Sequence, residues 1–86
     1  MKNWFEMFVS AMVDELDAKC HEEQGKCVLT YHDHEGHHIN HVYLVPISIG
    51  NVDCVECRVN KSDTVQFSKL TPQYAVEFAE KRACQR

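Results

Sequence analysis

Between Gly25 and Phe67 apolar and polar residues alternate with period two, through CVLTYH, HVYLVPISI and VDCVECRV, with breaks at Gly36 and at Gly50 and Asn51. Successive side chains of an extended chain point to opposite sides, so this alternation marks half-buried strands. It predicts strands over 26–32, 37–45 and 52–59, then a short one holding Val65 and Phe67, joined by tight turns with Gly36 at positive φ. Pro46 has no N–H for a ladder and is expected to bend or end the second strand.

The period changes to 3.6 on either side of this meander. Trp4, Phe5, Phe8, Val9, Met12, Val13 and Leu16 share one side of a helical wheel, and Met7, Ala11 and Ala18 widen the arc. Asn3 with Glu6 three residues on reads as a capping box, and Gly25 as a left-handed terminator, giving a helix over 4–23. Glu15 and Lys19 then form an i,i+4 pair that lifts its last turns into solvent. After the meander, Thr71 reads as a cap with Pro72 at the first helical position. Tyr74, Ala75, Phe78 and Ala79 form the expected buried stripe of a helix over 72–84, with Lys81 and Arg82 suited to its negative end. The whole reads as one α+β domain, 1–86: N-terminal helix, antiparallel meander of four to five strands curled into a small barrel-like sheet, C-terminal helix.

The formal net charge is −4 and its placement is uneven. Residues 1–23 hold six acids against Lys2 and Lys19, whereas residues 24–86 carry seven charges of each sign. A chain without a basic footprint is not built for unaided tight binding to duplex nucleic acid. No stretch reaches transmembrane length, so no membrane partner is expected. The apolar run from Met7 to Val13 behind Lys2 imitates a signal-peptide core, but Glu6 interrupts it and it follows a helical period. Five cysteines cannot all pair within one chain, which points to reduced thiols and a cytoplasmic setting.

The turn carrying Tyr31, Asp33 and Gly36, the VPISI strand, and VDCVECRV followed by VQFSKL resemble, over about 13–70, the WYL domain of bacterial transcriptional regulators. The resemblance implies a small Sm-like barrel that senses a ligand or nucleic acid. Asn51, Val52 and Asp53 stand where the family's Trp-Tyr-Leu falls, and Phe67 to Leu70 lack its arginines, so no site residue carries over.

Three groups of residues are candidates for chemistry. Cys54 and Cys57 have C-x-x-C spacing, and imidazole and thiolate are zinc's preferred ligands, so a zinc-stabilised module would use Cys27, Cys54, Cys57 and His37. Against this, positions three apart on a strand face opposite ways, and Cys27 and Cys57 fit equally as small buried hydrophobes. Five of the six histidines lie between His32 and His41. His32 and His37 are expected to face one another across the turn and to repel as pH falls through about 6. No phosphate-cradling loop, nucleophile elbow or oriented thiol–base pair stands out, which points away from an enzyme.

The breadth of the first helix's apolar arc carries the functional expectation. A helix on one core needs a stripe of little more than about 100°. The surplus suggests a docking face or homodimer seam, with Trp4, Phe5, Phe8 and Met12 as anchors and Asp14 and Asp17 steering toward a basic surface. The expected function is a non-enzymatic protein that regulates or inhibits a larger partner by contact. Small acidic chains of this size are common among phage and mobile-element inhibitors of host machinery.

Overall fold

A computed structural model describes residues 3–32, 36 and 38–83. Asn3 caps α1 (Trp4–Leu16) as expected, its Oδ1 accepting a hydrogen bond from the Glu6 amide at 2.9 Å. The helix does not reach residue 23. Asp17 takes the left-handed conformation (φ 52, ψ 47), and the amides of Asp17 and Ala18 both turn back to the Val13 carbonyl. Lys19–Glu23 leave as β1, antiparallel to β2 (Lys26–His32), with Lys19 opposite Thr30 and away from Glu15. All five side chains of β1 are exposed, so it has no apolar stripe to hold it on the helix. Gln24 (φ 50) and Gly25 (φ 79) form the intervening turn. Two central residues at positive φ are the hallmark of the type I′ hairpin turn. Gly25 therefore turns a hairpin and does not end a helix.

The meander continues through β3 (Ile39–Ile49), β4 (Val52–Val59) and β5 (Val65–Ser68), and α2 (Pro72–Ala83) closes the described chain. The strands form one antiparallel sheet in the order β1-β2-β3-β4-β5. It is not closed: β1 and β5 are its two edges, so the architecture is an open sheet under a helical layer and not a barrel. His32 lies opposite Ile39, not His37, which falls outside the described residues. Gly36 has the positive φ expected of it, 71°.

Pro46 neither ends nor bends β3 out of the sheet. The β2–β3 ladder finishes at Cys27 opposite Leu44, while β3 stays paired with β4 as far as Ile49 opposite Val52. Pro46 thus sits where β3 has become an edge strand, the one place in a sheet that tolerates a missing N–H.

Both helices cover the same side of the sheet. Phe8 and Met12 from α1, and Ala75, Val76, Ala79 and Ala83 from α2, join Leu29, Tyr31, Val42, Leu44, Val55, Cys57 and Val59 in one buried cluster. The alanines let α2 approach closely, and the buried Tyr31 hydroxyl donates to the Ala79 carbonyl at 2.8 Å. On α2 the expected stripe shifts: Tyr74 is exposed and Val76 takes its place in the core. Pro72 opens the helix and Lys81 and Arg82 lie in its last turn. The Thr71 hydroxyl donates to the Ser68 carbonyl at 3.1 Å.

Asp17 holds a left-handed conformation that glycine adopts freely, and it places a carboxylate at the negative end of α1. Asp17→Gly is expected to stabilise the protein by about 1 kcal/mol, raising Tm by about 4–8 °C in a thermal melt. An unchanged or lower Tm would show that α1 does not end in this way.

Candidate functional site

The anchors expected on α1 divide into two groups. Phe8 and Met12 are 2% and 0% exposed and belong to the core, so they are unavailable to a partner. The second apolar surface demanded by the broad arc is α2, against which α1 packs while also touching β2. Trp4 and Phe5 are half-buried, edge to face with centroids 5.9 Å apart, and pack against the same core. Asp14 and Asp17 are exposed, as is Met7. What remains of the expected face is an acidic ridge with one methionine.

The zinc set does not come together. Cys54 lies opposite Ile47 and Cys57 opposite Leu44, on opposite sides of β4. Cys27 shares Cys57's side but has β3 between them, a separation of about 10 Å at the usual strand spacing, against Zn–S bonds of about 2.3 Å. His37 is outside the described residues, and among those residues no three His, Cys, Asp or Glu side chains gather. Burial pushes the Cys57 thiol up to about 12. Burial also raises Cys27, to about 11, helped by the neighbouring Cys20 thiol that hydrogen-bonds to it and by Glu22 and Glu6. Both stay protonated at neutral pH, the state of a packing residue and not of a ligand or nucleophile.

Three of the described histidines share the face of the sheet that carries Val28, Thr30 and Tyr43. His21, His32 and His41 stand on three different strands, and His38 is exposed in the loop before β3. His41 Nδ1 lies 3.3 Å from the Thr30 hydroxyl.

The side of the sheet away from the helices offers more. Register places Val28 and Thr30 of β2, His41, Tyr43, Val45 and Ile47 of β3, and Cys54, Glu56 and Arg58 of β4 together on it. No described element lies over this face. The Arg58 guanidinium sits 4.3 Å from the centre of the Tyr43 ring, and its Nη1 donates to the Asn60 carbonyl. This pins a flat cation on an aromatic plate. Beside them is a recess of about 150 Å³ bounded by Lys26, Val45, Glu56 and Thr64 as well.

Beyond Val45 the face runs out along the part of the β3–β4 hairpin that β2 no longer covers. Ile49 and Val52 at its tip are 50% and 58% exposed, and Val45, Ile47 and Cys54 behind them are half-buried. The outcome is a contiguous apolar strip on a projecting hairpin with one free strand edge. The strip was readable in the alternation of Val45, Ile47 and Ile49, which continues through Pro46. Reading the proline as a stop hid it.

No family model matches the chain, and neither the curated proteins nor the solved structures contain a match. Among the described residues no helix is long and apolar enough to cross a membrane.

The two faces of β4 make two predictions. With a thiol-alkylating reagent under native conditions, Cys54 is expected to react and Cys57 only on unfolding, read by peptide mass spectrometry. Equal protection of both would place cover over the second face. Because Cys57 keeps its proton in the folded state to about pH 12 and would lose it at about 9 once unfolded, stability should be level below pH 9 and decline from there toward pH 12. Cys57→Ala, costing about 1 kcal/mol at neutral pH for the small cavity, should decline less steeply in alkaline denaturant titrations. Parallel declines would exclude Cys57 as the cause.

Proposed function

We propose that this protein is a non-enzymatic binding protein, acting in the cytoplasm, that regulates or inhibits a larger protein by contact through the uncovered sheet face and its projecting hairpin. The observation that carries the reading is the strip Val45, Ile47, Ile49, Val52 and Cys54, set beside the pinned Tyr43–Arg58 pair, with no described helix or strand folded over it. Contiguous exposed apolar surface on a small domain marks interaction sites. Tyrosine and arginine are the residues most enriched, with tryptophan, where binding energy concentrates. The rigid stack also loses little side-chain entropy on docking.

Charge supports the same assignment. The sheet face balances Lys19, Lys26 and Arg58 against Glu23 and Glu56, whereas Glu6, Asp14, Glu15 and Asp17 lie on and just after α1. A near-neutral apolar face can be desolvated at low cost, while the acidic ridge contributes a long-range field that speeds encounter with a basic partner. Thiols held protonated at Cys27 and Cys57 fit a binding role better than catalysis.

The test is capture followed by reconstitution. A protein recovered from lysate in stoichiometric amount, purified and recombined, should lose at least about tenfold in affinity with the Ile49→Asp/Val52→Asp variant. It should bind the Met7→Asp variant about as well as the parent chain, all three having matched melting curves. The reverse ranking would return the interface to α1. Equal affinity of all three would refute the assignment, and a self-associated species dispersed by the hairpin variant would make the partner a second copy.

A further inference from the structure

Pairing register sorts the charged residues of the open sheet face into rows. Lys19 faces Thr30, which faces His41, and in the adjacent row His21 faces Val28, then Tyr43, then Arg58. The imidazole and charged side chains of these two rows are all basic. The acids of the face come one row nearer the projecting hairpin, where Glu23 faces Lys26 and Glu56 faces Val45. The apolar strip lies beyond them. The face is therefore graded, apolar along the hairpin and basic toward the end where β3 begins.

Half of its basic groups are imidazoles, since His32, the last residue of β2, joins His21 and His41 on this side. Imidazole is the side chain that gains its charge between about pH 8 and 5. With the imidazoles neutral, the face sets Lys19, Lys26 and Arg58 against Glu23 and Glu56; with them charged, it sets six cations against the same two acids.

Protonation leaves the contacts of these residues in place. The Thr30 hydroxyl, 3.3 Å from His41 Nδ1, can donate to a bare ring nitrogen and accept from a protonated one. The other polar side chains set around His41 are Lys19 beyond Thr30, Tyr43 with its ring centre 6.4 Å away, and Arg58 diagonally across on β4, donating to the Asn60 carbonyl. None of these is an acid. His21 Nε2 lies 3.5 Å from the Glu23 carboxylate, so this acid is taken up as His21 charges, and Glu56 remains.

Building on the docking role given to this face, we propose that acidification turns its basic rows into a receptor for an acidic segment of a protein partner, with carboxylates over Lys19, His21, His41 and Arg58 and apolar side chains along the strip. A peptide suits the gradient because it can carry apolar residues at one end and carboxylates at the other. A nucleic acid has phosphates throughout and would bring them over Glu23 and Glu56. The acidic ridge of α1 is on the opposite side of the sheet, so the two fields address different parts of a partner.

Titration of the ¹⁵N-labelled full chain with blocked hexaglutamate, hexalysine and hexathymidylate at pH 7.5 and 5.5 and low ionic strength tests it. Hexaglutamate at pH 5.5 should shift the amides of Lys19, His21, His41 and Tyr43 saturably, and should bind at least about tenfold more weakly at pH 7.5. By reciprocity, the peptide should move the titration midpoints of His21 and His41 upward. His21→Gln/His41→Gln should lose at least about tenfold in affinity at pH 5.5. Should that pair disturb the spectrum elsewhere, Lys19→Glu, at an exposed edge position, is expected to weaken binding likewise. The proposal is overturned if hexaglutamate gives no saturable shifts there, if its affinity is the same at both pH values, or if folded variants bind it as tightly as the parent chain. Equal binding of hexalysine, or tighter binding of hexathymidylate, would also overturn it. The titration reads the basic rows alone and the hairpin variant reads the strip, so failure of one is distinct from failure of the other.

Discussion

Phe8 and Met12 of α1 and the alanines of α2 press on one side of β2, β3 and β4, and this one-sided burial governs what the rest of the molecule can do. The contact is close because Ala75, Ala79 and Ala83 put small side chains on the buried stripe of α2, close enough for the Tyr31 hydroxyl to reach the Ala79 carbonyl. With both helices used on that side, the opposite side has, among the described residues, only its own to shelter it. Val28 is nonetheless 3% exposed, shielded within the sheet face where His21 and Tyr43 are its cross-strand neighbours. Arg58 lies over Tyr43 and Thr30 meets His41, so the polar groups there are engaged laterally.

The candidate docking strip arises where strand pairing runs out. At one end β2 is too short to follow β3 beyond Leu44, and the β3–β4 hairpin projects with apolar side chains that the strand period requires, Ile49 and Val52 among them exposed. At the other end the chain must leave β4, and Asn60 reverses it in a left-handed conformation secured by His41, Asn40 and Arg58. Unequal strand lengths are a local departure from an idealised sheet, and such departures are where natural proteins place function.

Much of the fold was legible in the residues. Asn3 with Glu6, Pro72, and the alternation of β2 and β4 each carry a local physical cause and appear as expected. The end of α1 was not legible, because Asp17 terminates the helix without glycine or proline and β1 is too uniformly polar to show any period. An amphipathic arc reports how much of a helix is covered and not by what, so Phe8 and Met12 read as interface anchors when their cover is α2. Cysteine spacing similarly suggested a zinc set that the pleat places on two sides of β4. The binding surfaces depend on where ladders end, which is set by pairing register, a property of several segments jointly.

The most direct test of the account is the solvent accessibility of alternate residues along β3 and β4, measured as relaxation enhancement of methyl and aromatic resonances by a soluble, neutral paramagnetic chelate. One-sided burial predicts strong enhancement at Tyr43, Val45, Ile47 and Val52 and weak enhancement at Val42, Leu44, Val55 and Val59, switching from one residue to the next along β3. Equally weak enhancement of both sets in the monomer would mean that the second face is covered by the chain itself and would contradict the account.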